Sequence, residues 1–151
     1  MAAQTENRIE DVVARECLAG RLRMLNRVVT NIYDDAFRPL GVKVSQLSIL
    51  VAAAKLGLAR PAEVCQILQL DTSTLSRNVE RMRARGWLEA VDDEDGRAQP
   101  FRLSSEGRKL LEQARPAWEA AQKKVKKLLG ADAVASIHDA VERIRSDQSS
   151  S

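Results

Sequence analysis

A chain of 151 residues with 44% hydrophobic content has room for one substantial core, so a single domain, 1–151, is expected and a large multidomain enzyme is excluded. Only 3% of residues are aromatic and 30% are charged, a balance that favours helices over a β-sandwich, and the formal net charge of +3 permits a nucleic-acid partner without requiring one. No apolar run approaches the ~20 residues of a membrane span. The start "MAAQTENRIED" is polar and lacks a signal-peptide core, so a cytoplasmic protein without a membrane partner is expected. Cys17 and Cys65 lie far apart and His138 is the single histidine, which suits neither a disulfide framework nor a zinc site. No cofactor is expected.

In chain order, Leu18, Leu22, Leu25, Val29 and Ile32 recur in steps of four and three. They predict one long amphipathic helix from about Arg8 to Arg38, ended by Pro39 and Gly41. The densely apolar "SQLSILVAAAKLG", from Ser45, reads as a core helix closed by Gly57. In "RPAEVCQILQL", Pro61 suits a first helical turn, while Val64, Ile67 and Leu68 supply an inward face that Cys65 joins.

After a tight "LQLD" turn, Asp71 can cap a helix over about 72–85 whose Leu75, Val79 and Met82 face inward. Ser73 and Arg77 project opposite, Thr74, Asn78, Arg81 and Arg85 follow one flank, and Glu80 lies on the other. Trp87, Leu88, Ala90 and Val91 then read as a strand, "DDEDG" as a turn and "RAQPFRL" as a returning strand, which Pro100 should confine to an edge. The hairpin spans 88–103. Ser104 can cap a following helix whose stripe runs through Leu110, Leu111, Ala114, Trp118, Ala121, Val125 and Leu128; Pro116 should kink it or remove a backbone bond. A last short helix puts Val134, Ile137, Val141 and Ile144 on one face.

Two short helices, a tight turn and a hairpin make a winged helix-turn-helix. Short hydroxyls at the start of its second helix allow close approach to a DNA major groove, Arg77 and Asn78 can bond base edges, and Arg81 can meet phosphates. Charge-rich faces are also what ordinary solvated helices show. The hairpin beside this one favours DNA, because Arg97 at the turn can reach a minor groove or phosphates while Asp95 steadies its guanidinium.

The stretch "DTSTLSRNVERMRARGWLEAVDDEDGRAQPFRLSSEG" resembles the core signature of MarR-type bacterial transcriptional regulators. Its parts are a Ser-Thr-hydrophobic-Ser-Arg recognition helix, a Gly-hydrophobic-hydrophobic strand, an Asp-x-Arg wing and a Leu-Thr/Ser-x-x-Gly helix start. The order of elements is similar over about residues 8–146, and the specific motifs fall within 70–107. The resemblance implies a mostly α, homodimeric fold that binds pseudo-palindromic double-stranded DNA, with release by a small-molecule inducer or oxidant. It places Ser73, Thr74, Ser76, Arg77 and Asn78 in the recognition helix and Asp95 and Arg97 in the wing. Ala90, Val91 and Gly96 stand where family members often carry wing arginines, so fewer wing contacts and more reliance on the helix are expected.

A lobe of about 45–103 cannot cover the apolar stripes of 8–38 and 105–146, which should pair across a dimer. Two such lobes on a two-fold axis would read half-sites ~10 bp apart. An inducer pocket is expected between the first helix, the last two helices and the lobe, with an aliphatic lining because aromatics are few. "KKVKK", Lys123 to Lys127, reads as a solvated face. Cys17 invites comparison with relatives that sense oxidants through a cysteine in the first helix; Arg15 and Arg21 flank it, Glu16 opposes them, and Tyr33 is the one tyrosine available as a partner. Packing is the favoured role for it, since free cysteines are commonly buried. There is no phosphate loop, nucleophile elbow or second histidine, so enzymatic activity is not expected. The alternative to a regulator is a winged helix used as a protein-interaction module without a specific operator.

Overall fold

The computed structural model describes residues 8–93 and 99–151. Its elements are α1 (Ile9–Glu16), α2 (Leu18–Phe37), a 3-10 turn (Arg38–Leu40), α3 (Val44–Leu56), α4 (Pro61–Leu68), α5 (Thr72–Ala84), β1 (Leu88–Ala90), β2 (Phe101–Leu103), α6 (Ser105–Leu129) and α7 (Ala131–Ser149). The fold is mostly helical, with a winged helix-turn-helix built from α3, α4, α5 and the β1–β2 hairpin.

α3 is the centre of the molecule. Leu47, Ile49, Leu50, Ala52 and Ala53 are all buried on it, and it packs against α2, α4, β2 and α6. Ser45, Ser48, Val51 and Lys55 remain exposed along one side, so its dense apolarity serves the neighbours on the others. Its start is held from α2, whose Asp34 carboxylate accepts from the Val44 N–H at 2.8 Å. Phe37, Val64, Leu75, Met82, Leu88 and Phe101 complete the core around it.

The turn from α4 to α5 is forced by Gln69, the single described non-glycine residue with positive φ, at 52°. There it closes α4 as a left-handed cap, with the Leu70 N–H returning to the Cys65 carbonyl at 3.0 Å. α5 ends similarly on Gly86 at φ 78°, where the Trp87 N–H reaches back to the Met82 carbonyl at 3.0 Å.

Two expectations are corrected, and for Pro116 one of the two expected outcomes is found. The long first helix is divided at Cys17, whose ψ of 110° leaves the helical region; the Arg21 guanidinium bonds the Arg15 carbonyl across the break, which satisfies an acceptor the end of α1 exposes. α6 runs unbroken through Pro116, which lies exposed, so the cost is confined to one missing bond toward Glu112. The returning strand is no free edge: Phe101 pairs with Ala90 on one side and exchanges two backbone bonds with Ala59 on the other, at 2.8 and 3.0 Å. Pro100 is tolerated because its ring is buried and the first of these bonds falls one residue later.

The lobe joins the long helices at Ser104. Its buried hydroxyl donates to the Gly86 carbonyl at 2.5 Å and accepts from the Gly107 N–H at 3.0 Å, capping α6 while holding the end of α5. Gly107 lies so close beneath β1 that a Cβ there would sit 2.2 Å from the Trp87 carbonyl oxygen. Gly107→Ala is therefore expected to destabilise the protein by about 1–3 kcal/mol through overpacking against backbone. Urea unfolding checks this, and an unchanged midpoint would contradict the close approach.

Candidate nucleic-acid interface

α5 is anchored by Leu75 and Met82, both buried, with Val79 packed partly against the core. That leaves Ser73, Ser76, Arg77 and Arg81 exposed and Thr74 and Asn78 half-buried on the flank. Arg85 is committed elsewhere: its guanidinium stacks 4.3 Å over the Trp87 ring and donates to the Gly41 carbonyl at 3.4 Å.

The N-terminal tip is more organised than a row of free hydroxyls. Asp71 accepts at 2.7 Å from each of the Ser73 hydroxyl, the Thr74 hydroxyl and the Thr74 N–H. With their protons given to a carboxylate, Ser73 and Thr74 present lone pairs outward, so the tip suits the amino groups of cytosine and adenine. Arg77, one turn on, supplies donors suited to guanine. Asn78 has one amide hydrogen bonded back to the Thr74 carbonyl at 3.0 Å, which leaves its oxygen free and limits it as a bidentate reader.

The same bonds act on Asp71. The Ser73 hydroxyl first, then the Thr74 hydroxyl and N–H, with a smaller contribution from the charge of Arg77, hold its carboxyl well below the usual carboxylate range. A carboxyl lowered on folding adds stability above its unfolded value, near pH 4, and loses it as the pH falls toward the folded value. The advantage of wild type over Asp71→Asn in urea unfolding is thus expected to be constant from pH 7 to about 5 and to shrink below about 4. A difference independent of pH would contradict this.

Asp95 and Arg97 lie outside the described residues. The base of the wing shows contacts that sequence reasoning missed: Arg60 pairs with Asp93 at 3.2 Å, and the Arg83 guanidinium lies 3.5 Å from the Gln99 oxygen. Their sequence signals were only an arginine ahead of Pro61 and an acidic run, neither of which indicates a partner.

Away from this face, a cavity of about 630 Å³ lies where α2, α3, α6 and α7 converge, lined by Tyr33, Leu47, Val51, Leu56, Trp118 and Arg145 among others. Its position matches the expected pocket, but its lining is not simply aliphatic, because α2 and α6 bring Tyr33 and Trp118 to the same space. The Tyr33 hydroxyl donates to Gln122 of α6, and burial pushes its pKa up. This commits Tyr33 away from Cys17, which is half-buried at the α1–α2 break, sixteen residues earlier and about 24 Å along the helix axis. The four lysines of "KKVKK" are exposed, as expected. No single helix among the described residues is long and apolar enough to cross a membrane.

The model of the MarR family matches residues 40–98, which run from the end of the 3-10 turn into the wing. The multiple antibiotic resistance protein MarR of Salmonella typhimurium is 28% identical over 129 residues, covering 83% of this chain and 89% of that protein. Among solved structures, a cysteine-to-serine variant of MarR from Escherichia coli complexed with operator DNA has a TM-score of 0.76 at 21% identity, covering 88% of this chain and 96% of that one. Bordetella bronchiseptica BpsR, whose DNA binding is regulated by 6-hydroxynicotinic acid, has a TM-score of 0.75 at 21% identity, over 86% and 94% of the two chains. At such identities the structures establish the shared fold.

Proposed function

We propose that this chain, which the MarR family model matches over residues 40–98, is a MarR-type transcriptional regulator, a homodimer that represses transcription from a pseudo-palindromic operator and is released by a small molecule. The observation that carries the proposal is the exposed face of α5, where an acceptor tip at Asp71, Ser73 and Thr74 is followed by Arg77 and Arg81 on a helix clamped at both ends. In this reading Ser73, Thr74, Ser76, Arg77 and Arg81 enter the major groove with Asn78 in a lesser role, and Asp95 and Arg97 serve the wing. Residues of about 45–103 form the reading lobe.

Dimerisation through about 8–38 and 105–146 is supported by apolar side chains that the single chain leaves in water. Ile9 and Leu18 are each 73% exposed, and Leu22, Leu128 and Ile144 are more than half exposed on helices of the same region. A second copy would cover them and set the spacing of the two α5 helices. The cavity beside Tyr33 and Trp118 sits between that region and the lobe, so an occupant would bear on the spacing; Lys55 and Arg145 at its lining suit an apolar molecule with an anionic group.

The test is selection of fragments from a genomic DNA pool by the purified protein. A two-fold-symmetric site whose affinity falls steeply with salt is expected. No enrichment at low salt would sink the proposal and leave a protein-interaction module. On the selected site, Arg77→Ala should cost about 1–3 kcal/mol of base discrimination while the dimer persists in sedimentation; retained preference would remove Arg77 from base reading. Cys17 is assigned to packing at the helix break, so operator binding should be insensitive to an organic peroxide. Peroxide-driven release that disappears in Cys17→Ser would make it a sensor instead.

A further inference from the structure

The wing leaves the lobe through a base held on two sides. On the outer side of β2, Ala59 and Phe101 exchange both backbone hydrogen bonds. The next residue, Arg60, precedes α4, and its guanidinium lies 3.2 Å from the Asp93 carboxylate on the chain leaving β1. One short segment ahead of α4 therefore grips β2 through backbone and the exit of β1 through charge. The last backbone bond of the hairpin before this point runs from the Val91 N–H to the Pro100 carbonyl, at 2.9 Å. Beyond it, Arg60–Asp93 is the outermost contact to the lobe among the described residues on that side. Asp93 is the more enclosed partner, at 23% side-chain exposure against 56% for Arg60.

The charge of Asp93 is otherwise hard to place. A carboxylate beside a surface that meets phosphates adds repulsion, and here it also occupies an arginine that stands just before a helix N-terminus, where a DNA backbone could be met. Both costs make sense if the pair is used for geometry. Resting on the DNA-binding reading above, we propose that Arg60 and Asp93 are positioning residues, whose ion pair fixes the angle between the wing and α5 so that both engage one DNA segment together. Neither side chain need touch DNA for this role.

The alternatives differ in sign. If Asp93 acts only as a negative charge, Asp93→Asn tightens operator binding, and if Arg60 touches a phosphate, Arg60→Gln lowers the salt slope by about one. The positioning role predicts that each substitution weakens binding about threefold, with the salt slope unchanged and the double variant no weaker than either single one. Fluorescence anisotropy on the selected operator over a salt series, with thermal unfolding to verify that the variants fold, distinguishes these outcomes. Tighter binding by Asp93→Asn, a reduced slope for Arg60→Gln, additive losses or unchanged affinity in both single variants would each overturn the proposal. Failure of the wild-type protein to bind any DNA would instead sink the regulator reading, and the positioning role with it.

Discussion

The junction at Ser104 is the constraint on which the rest of the architecture depends. One buried hydroxyl holds the Gly86 carbonyl at the end of α5 and the Gly107 N–H at the start of α6. The Ser104 N–H also donates to the Trp87 carbonyl at 3.1 Å, so the end of the hairpin is fixed at the same point. α5, the β1–β2 hairpin and α6 thus share one small rigid corner. Gly107 makes the corner possible, because any side chain there would collide with backbone that cannot move aside.

Rigidity at that corner gives the distant helices mechanical meaning. α6 packs extensively on α2, and their packing leaves a cavity that reaches α3, the central helix of the lobe. A molecule in that cavity would meet residues of the lobe and of the long helices together. Ser104 ties the start of α6 to the end of α5, so under the proposed function a change in the packing of the long helices would bear on α5 through a rigid joint.

The exposed face of α5 follows the same economy. A single carboxylate, Asp71, caps α5, fixes two hydroxyls and determines which hydrogen-bonding sense they present. Arg85, similar to Arg77 and Arg81 in sequence, is withdrawn from the face by Trp87 and Gly41. Side chains of the same type within one helix are thus divided between support and an exposed surface by what lies next to them.

That division marks what was legible in the sequence. Helices α3 to α6, the tight α4–α5 turn, the capping roles of Asp71 and Ser104 and the buried side of α5 could be read from it, because each depends on residues within one or two turns of one another, whereas the break at Cys17 could not. The exposed arginines and hydroxyls could be named as candidates for the same reason. Which of them are free, the pairing of Phe101 with Ala59, the Arg60–Asp93 contact and the aromatic lining of the cavity were settled only by tertiary structure. Those partners are far apart in sequence, and neither periodicity nor composition carries information about which distant side chain will meet a given one once the chain has folded.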